Sequence, residues 1–497
     1  MKIRIQILTS GRSRTITCEP GASLQDILRA NGYSVYAPCG GKGACGKCRV
    51  TVAGEGEVIT CRYVPGKNIR VILPGEGEAN ILVCQTEYLE DLPFQRDSEE
   101  YAGREPYGAA VDIGTTTVVM YFLNLITGQI VNIASFLNPQ RQFGADVITR
   151  IQYCQEHQEG LKELQQSILQ AINRELDRFT ARTSTPSGHL EKMVVAGNTT
   201  MLHLLLGANP VPIALAPFTP AFTGKQTVKA ASLGLKMHTG AECITLPCIS
   251  AYVGADILAG LAALKAPQGN YLFLDIGTNG EIALVKGERI FTCATAAGPA
   301  FEGANISRGM AAVTGAISGF TAPGTYQVIG NTVPAGICGS GIVDIVAYLV
   351  RNDRVDETGR LKETFIINPE RNIQVIQQDI REIQLAKSAI YSGIKVLMKE
   401  AGLSFNDVSA MYLAGGFGNY INVQSAVNIG LLPHELKNRI YPVGNSAVIG
   451  ALQYLKNREF EDKINHILER AEYIELSNRD EFTVEFAQNM NFNTHLE

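Results

Sequence analysis

The chain has 497 residues, more than one ordinary core can organise, so two or three domains are expected. Hydrophobic residues make up 45% and charged residues 18%, a globular balance that excludes extended disorder. Lys and Arg number 43 against 48 Asp and Glu, a net charge of −5, so electrostatics give no reason to expect nucleic acid or an anionic membrane as partner.

In chain order, Met1 to Leu8 alternates polar and apolar residues and reads as a strand rather than a signal peptide. No stretch approaches the ~20 apolar residues of a membrane helix, and the chain reads as cytoplasmic. Lys2–Leu8 and Arg14–Cys18 pattern as two strands, and Ser23 caps a short helix from Leu24 to Ala30. Further strands fall around Arg49–Val52, Val58–Thr60 and Ile69–Leu73, so residues 1–85 fit a β-grasp domain. Thr86 to Pro106 is acidic and polar and is expected to be a linker (86–106). From Tyr107, apolar strands alternate with helical segments such as Leu161–Thr180 and Ile383–Ala401, the pattern of an α/β domain.

Of 11 cysteines, Cys18, Cys39, Cys45, Cys48, Cys61 and Cys84 lie in the first domain. In a compartment where disulfides are rare, such clustering points to metal. The core is Cys39-Gly-Gly-Lys-Gly-Ala-Cys45-Gly-Lys-Cys48 plus a fourth thiol. Four thiolates are what a [2Fe–2S] cluster needs, and the glycines let the backbone fold closely around the sulfurs. A four-cysteine zinc site is the alternative, but those sites usually take two short Cys–Cys knuckles and only one is present. Cys84, ending the apolar run Ile81-Leu-Val-Cys84, is the expected fourth ligand, from its long separation in sequence; Cys61 stays as the alternative. Gly41 to Lys47 also overlaps two phosphate-loop patterns. Neither holds: a strand-like segment follows instead of a helix, and Cys48 stands where Ser or Thr would hold Mg²⁺.

An internal repeat marks the larger region. Ala110-Val-Asp112-Ile-Gly114-Thr115-Thr116-Thr117 recurs as Phe273-Leu-Asp275-Ile-Gly277-Thr278-Asn279-Gly280. Two copies at subdomain spacing imply a duplicated α/β unit, 107–270 and 271–497, with one phosphate loop in each half. The glycines turn N–H groups toward phosphate oxygens, the hydroxyls add donors, and an Asp at each strand end can hold Mg²⁺ through water. Glu281 either orients an attacking water or is a solvated strand-end carboxylate. Asn198 and Thr199 are expected to line the cleft or to cap a helix. A third glycine-rich segment, Gly415-Gly416-Phe-Gly418, follows an apolar strand and suits close approach by a ribose or base.

Two Asp-Ile-Gly-Thr loops followed by Gly415-Gly416-Phe-Gly418 resemble the actin-like (ribonuclease H-like) ATPase superfamily. In that superfamily, Gly336 to Asp344 falls at the second interdomain connection. The resemblance narrows with Asn138-Pro-Gln-Arg-Gln-Phe-Gly144-Ala-Asp146 to Arg150, Ala196-Gly197-Asn198-Thr199-Thr200, Tyr252-Val-Gly254-Ala-Asp256, Gly298-Pro-Ala-Phe-Glu302-Gly303 and Gly415 to Tyr420. Together these motifs resemble the ATP-dependent reductive activators of corrinoid proteins, in which a ferredoxin-like domain is fused to an actin-like ATPase. The linker here is shorter than in many relatives.

The resemblance implies ATP-coupled, one-electron reduction of Co(II) to Co(I) in the corrinoid protein of a methyltransferase system. It implies a [2Fe–2S] cluster on Cys39, Cys45, Cys48 and Cys84, with ATP and Mg²⁺ as cofactors. An upstream low-potential electron donor is implied as partner, and a homodimer is compatible. Asp112, Asp275 and Glu281 are the expected catalytic residues. Gly114, Thr115, Thr116, Asn198, Thr199, Gly277, Thr278, Asn279, Gly298, Glu302, Gly415, Gly416 and Gly418 are the expected nucleotide contacts. The competing readings are an activator of another radical or metalloenzyme and an ATP-gated electron carrier without turnover.

Overall fold

The structure, a computed structural model, describes residues 2–9, 12–31, 33, 35, 37, 41, 43, 48–73, 86–95, 105–265 and 267–492. In the first domain, β1 (Ile3–Thr9), β2 (Arg12–Cys18), β3 (Arg49–Val52), β4 (Gly56–Ile59) and β5 (Ile69–Ile72) form one sheet in the order β2-β1-β5-β3-β4. β1 and β5 run parallel at its centre, and helix α1 (Leu24–Ala30) covers one face: a β-grasp. The alternation read in the sequence places Ile3, Ile5 and Ile7 in the core with Leu24, Ile27 and Leu28. Ser23 caps α1 as expected, accepting from the Asp26 N–H at 3.2 Å.

The rest of the chain repeats one topology. In the first half, β6 (Tyr107–Ile113), β7 (Thr117–Asn124) and β8 (Ile130–Leu137) form an antiparallel meander, followed by α2 (Val147–Glu156) and α3 (Gly160–Thr183). Next come β9 (Leu190–Gly197), α4 (Thr199–Leu206), β10 (Gln226–Lys229), β11 (Glu242–Thr245) and α5 (Ala255–Ala263). The sheet order is β10-β11-β9-β6-β7-β8, with β9 parallel to β6.

The second half opens on the same meander, β12 (Asn270–Ile276), β13 (Gly280–Lys286) and β14 (Arg289–Thr295). An insertion follows, with β15 (Ala316–Ala322), β16 (Thr325–Val328), β17 (Gly336–Ile337), α6 (Gly339–Arg351), β18 (Phe365–Asn368), β19 (Ile373–Val375) and α7 (Gln377–Glu400). The unit closes with β20 (Val408–Ala414), α8 (Gly415–Tyr420), α9 (Val423–Asn428), β21 (Ile440–Gly444), α10 (Ser446–Lys456), α11 (Glu459–Leu468), β22 (Ala471–Tyr473) and α12 (Asp480–Gln488). Its sheet order, β21-β20-β12-β13-β14-β22, matches the first half strand for strand through the meander and two parallel strands.

Two expectations change here. Gly336 to Asp344 does not connect the halves: β17 pairs with β15, and α6 buries Ile342, Val343 and Ile345 in the second half's own core. The crossing is made by α5 and α10. A Cβ on Gly450 would stand 2.3 Å from the Ala259 carbonyl, and one on Gly260 would stand 2.6 Å from Ser446 Oγ. Glycine at both positions lets the two backbones touch, and α10 delivers Val448 and Leu452 into the first half's core.

The segment expected to be a free linker is packed over its first part. Tyr88 lies against the rings of Tyr441 and Tyr412, with centroids 5.0 and 6.1 Å away. The Glu90 N–H donates to the Ala263 carbonyl at 2.8 Å, and Gln453 both accepts from the Leu92 N–H and donates to the Glu90 carbonyl. Thr86–Gln95 is thus a strap over α5 and α10. Its acidic composition hid an apolar set, Tyr88, Leu89, Leu92 and Phe94, that packs on the core.

Lys387 on α7 is 2% exposed, donates to the carbonyls of Asn489 and Asn491 at 2.6 and 2.7 Å, and lies 5.0 Å from the Phe492 ring. Burial pulls its ammonium down to about 7. The native state therefore holds less proton than the unfolded chain between pH 7 and the ordinary lysine value of about 10.4, so stability rises with pH across that window. Unfolding measured at pH 7 and pH 9 should show wild type gaining about 2 kcal/mol from this group. Lys387→Met should flatten that slope, whatever it does to the absolute stability.

Candidate nucleotide cleft and cysteine loop

The two Asp-Ile-Gly-Thr segments end β6 and β12 and face each other across a cleft between the sheets. Its empty space is about 1440 Å³ with the open mouth included. In each loop the glycine N–H closes the turn: Gly114 donates to the Thr117 carbonyl at 3.0 Å and Gly277 to the Asn279 carbonyl at 2.9 Å. The first loop is braced from behind. Asn138 donates its side-chain amide to the Gly114 carbonyl at 2.8 Å and its backbone N–H to the Thr116 carbonyl at 2.9 Å. Arg150, fully buried, donates to the Thr115 carbonyl at 2.5 Å and the Gly144 carbonyl at 3.1 Å. Asn198 does both things expected of it: its carbonyl caps α4 at the Met201 N–H, and its amide reaches Thr115 Oγ1 at 3.1 Å.

Five carboxylates gather in this cleft. Asp275 and Glu281 are cross-strand partners on β12 and β13, so their side chains share a face. Asp112 accepts from the Asn445 amide at 2.7 Å, and Asp256 stands at the start of α5. Burial, with the Asp256 charge behind it, pushes Asp112 up to about 7, and burial lifts Asp256 to about 6. Asp275 and Glu281 are raised well above the carboxylate range by burial and then by their acidic neighbours. Glu281 is 7% exposed, and its Oε1 has no hydrogen-bond partner among the described residues, so it is not a solvated strand end. Glu302 is raised by burial and held between the loops by Thr278 and Thr116 hydroxyls, with Arg150 and Arg141 supplying opposing charge.

The residues suit a hydrated divalent cation and a polyphosphate. Carboxylate oxygens are the donors Mg²⁺ prefers, and it keeps several of its waters. Among the described residues no three His, Cys, Asp or Glu side chains group closely enough to ligate an ion directly. Gly415 has φ +80°, and a Cβ there would stand 2.3 Å from Asp275 Oδ1, so the third glycine segment abuts the second aspartate.

Three expected contacts stand off the cleft wall. Thr199 turns its hydroxyl to the Ser250 carbonyl at 2.7 Å, because α4 points it into the first core. Gly298 lies outside the lining and supplies the positive φ that starts the turn to Glu302, while Gly418 packs on the backbone of Leu413. Conversely, Asp256, Asn445 and Arg150 belong to the site and were not singled out for it. For Asp256 and Asn445 the signal was a second repeat: Val253-Gly254 to Gly260 and Val443-Gly444 to Gly450 share one spacing, with Asp256 and Asn445 within two residues of the first glycine.

In the first domain, Cys48 immediately precedes β3 and Cys61 lies two residues after β4. The β3–β4 hairpin brings Cys48 Sγ and Cys61 Sγ to 3.3 Å, with the Thr60 N–H donating to the Cys48 carbonyl at 2.8 Å. That separation is far beyond an S–S bond of about 2.05 Å and suits two thiolates converging on a common centre. Cys39, Cys45 and the expected fourth ligand Cys84 lie outside the described residues. Cys18 Sγ instead faces the Ile3 carbonyl. Cys243 and Cys248 are thiols of the first half's core, pushed up to about 12 by burial.

Fold and site define an iron–sulfur-type domain joined to a duplicated actin-like nucleotide-binding body. Residues 8–88 match the family model described as a 2Fe-2S iron-sulfur cluster binding domain, 107–267 the RACo middle region, and 269–496 the C-terminal ASKHA domain of RACo. The corrinoid activation enzyme RamQ of Eubacterium limosum is 31% identical over 94% of this chain and 96% of its own length. The [Co(II) methylated amine-specific corrinoid protein] reductase of Methanosarcina barkeri is 26% identical over 73% and 72%. A solved structure of a reductive activator for corrinoid, iron-sulfur protein superposes with a TM-score of 0.72 at 26% identity, covering 98% of each chain. The chain belongs to the RACo family of reductive activators. Among the described residues no helix is long and apolar enough to cross a membrane.

Proposed function

We propose that this chain reduces the Co(II) form of a methyltransferase system's corrinoid protein to Co(I), one electron at a time, and that nucleotide binding in the cleft drives the transfer. The observation that carries this reading is the joining of a converging thiol pair to a carboxylate-lined, two-loop cleft in one polypeptide of this family. When bound, the [2Fe–2S] cluster supplies the single low-potential electron, and ATP supplies the free energy for an otherwise uphill transfer.

Cys39, Cys45, Cys48 and Cys61 hold the cluster in this proposal, Cys61 replacing Cys84 because it is the thiol that stands beside Cys48. Asp112 and Asp275 orient Mg²⁺ through its waters, Asp256 adds charge beside them, and Glu281 is placed to take a proton from water. Thr115, Thr116, Thr278 and Asn279 donate to the phosphates, Gly114 and Gly277 closing the turns that present them and Asn198 holding Thr115 in place. Gly415 and Gly416 admit the nucleoside, and Glu302 gives up the two threonine hydroxyls as phosphate enters. The electron comes from an upstream low-potential donor, and the protein works in the cytoplasm.

The test is anaerobic reduction of a candidate Co(II) corrinoid protein by the cluster-loaded chain, followed by the Co(I) absorption band with and without Mg-ATP. Co(I) should accumulate only with nucleotide. Equal reduction without it would defeat the proposal.

A further inference from the structure

The iron–sulfur domain touches the nucleotide body through Arg29, near the end of α1. Its guanidinium donates to the Gln142 carbonyl at 3.1 Å, approaches Tyr153 Oη at 3.5 Å, and stacks 4.7 Å from the Phe143 ring centroid. The side chain is only 20% exposed, with Asp26 3.9 Å away on its own helix. Tyr153 is oriented in turn, donating to Glu163 at 2.5 Å, and its ring packs on Phe143 at 4.9 Å. A largely desolvated guanidinium over an aromatic face is a strong and directional contact.

What Arg29 grips is the segment that braces the first phosphate loop. Asn138 and Arg150 flank Gln142 and Phe143 in the chain, and between them they hold the carbonyls of Gly114, Thr115 and Thr116. Arg150 and Tyr153 also share one short helix, α2, the first reaching the loop and the second reaching Arg29. Displacement of the loop by phosphate thus has a continuous hydrogen-bonded and packed route to the redox domain.

We infer that Arg29 is a positioning residue that couples occupancy of the first phosphate loop to docking of the iron–sulfur domain, through the Asn138–Tyr153 segment. The inference rests on the proposed nucleotide reading and adds the route by which the cleft controls where the electron donor sits. Linkage makes the coupling reciprocal: the factor by which nucleotide changes docking is the factor by which docking changes nucleotide affinity.

The test is hydrogen exchange on the cluster-loaded full chain, nucleotide-free and with Mg-ADP or a non-hydrolysable Mg-ATP analogue, read on peptides covering Leu24–Ala30, 138–156 and both phosphate loops. In wild type, exchange in α1 should differ about fivefold or more between states. Arg29→Ala should erase that difference while the phosphate loops still respond, and should shift nucleotide affinity by the same factor. Arg29→Lys, which keeps charge without the planar stack, should restore only part of it. If Arg29→Ala loses its cluster spectrum, Phe143→Leu attacks the contact from the other side and should give the same loss. A wild-type response confined to the phosphate loops, or one that survives in these variants, overturns the coupling alone. Failure of the wild-type cleft to bind nucleotide overturns both the coupling and the functional reading.

Discussion

Cys61→Ser is expected to yield protein without the native [2Fe–2S] absorption and EPR signals, and without corrinoid reduction, while Cys84→Ser keeps all three. A cluster of two irons takes two thiolates on each, so a ligand set reduced to three cannot hold it in its native form. Sequence separation favoured Cys84, but separation along the chain is a weak guide to distance in a β-grasp. β3 and β4 fold back on each other within a few residues, with Arg49 opposite Ile59 and the Thr60 N–H on the Cys48 carbonyl, so Cys61, one residue further, meets Cys48 at the hairpin's open end. The measurement is the iron content and visible spectrum of each variant after anaerobic reconstitution. A native spectrum in Cys61→Ser, or its loss in Cys84→Ser, reverses the assignment. The same experiment separates iron from zinc, since a zinc site leaves both variants colourless alongside a colourless wild type.

Much of the architecture was legible because it was written twice. The Asp-Ile-Gly-Thr repeat announced two units, and each copy sits at the end of a first meander strand, β6 or β12, facing its counterpart. Local signals also held where they had a local cause: Ser23 caps α1, and the alternation of Ile3, Ile5 and Ile7 fixes the buried face of β1. What could not be read depended on contacts between distant segments. Asp256 sits in a visible motif, but the motif does not say what it faces; it joins the site because α5 starts at the cleft beside Asp112 and Asp275. The strap shows the same limit: acidic residues set its composition, yet a handful of apolar side chains decide where it lies. Glu281 was ambiguous for a related reason, since its strand-end position suggested water, whereas its cross-strand pairing with Asp275 turns it inward.

Asp275→Asn should lower nucleotide-dependent Co(I) formation and ATP hydrolysis by about 10²–10³ while making the nucleotide-free protein more stable, and the two effects have one cause. Asp275 is lifted well above the carboxylate range first by burial and then by Asp256, Asp112 and Glu302, so ionising it in the empty cleft costs folding free energy. An amide of the same shape removes that cost and should raise stability by about 1–2 kcal/mol, a shift of about 1–3 °C in Tm for a body of this size. The same charge would hold the hydrated Mg²⁺ that offsets negative charge on the transferring phosphate, and losing one such group typically removes about two to three orders of magnitude in rate. Mg-ATP should stabilise wild type by mass action and stabilise the variant much less, so thermal shifts with and without nucleotide read both halves together. A variant that is inactive and also less stable would make Asp275 a structural residue, held in place by the Gly415 backbone. One that is more stable and fully active would remove it from the chemistry. Only the combination of gained stability and lost turnover marks a carboxyl kept in the empty cleft at a cost to folding, for the sake of the ligand that favours its ionised form.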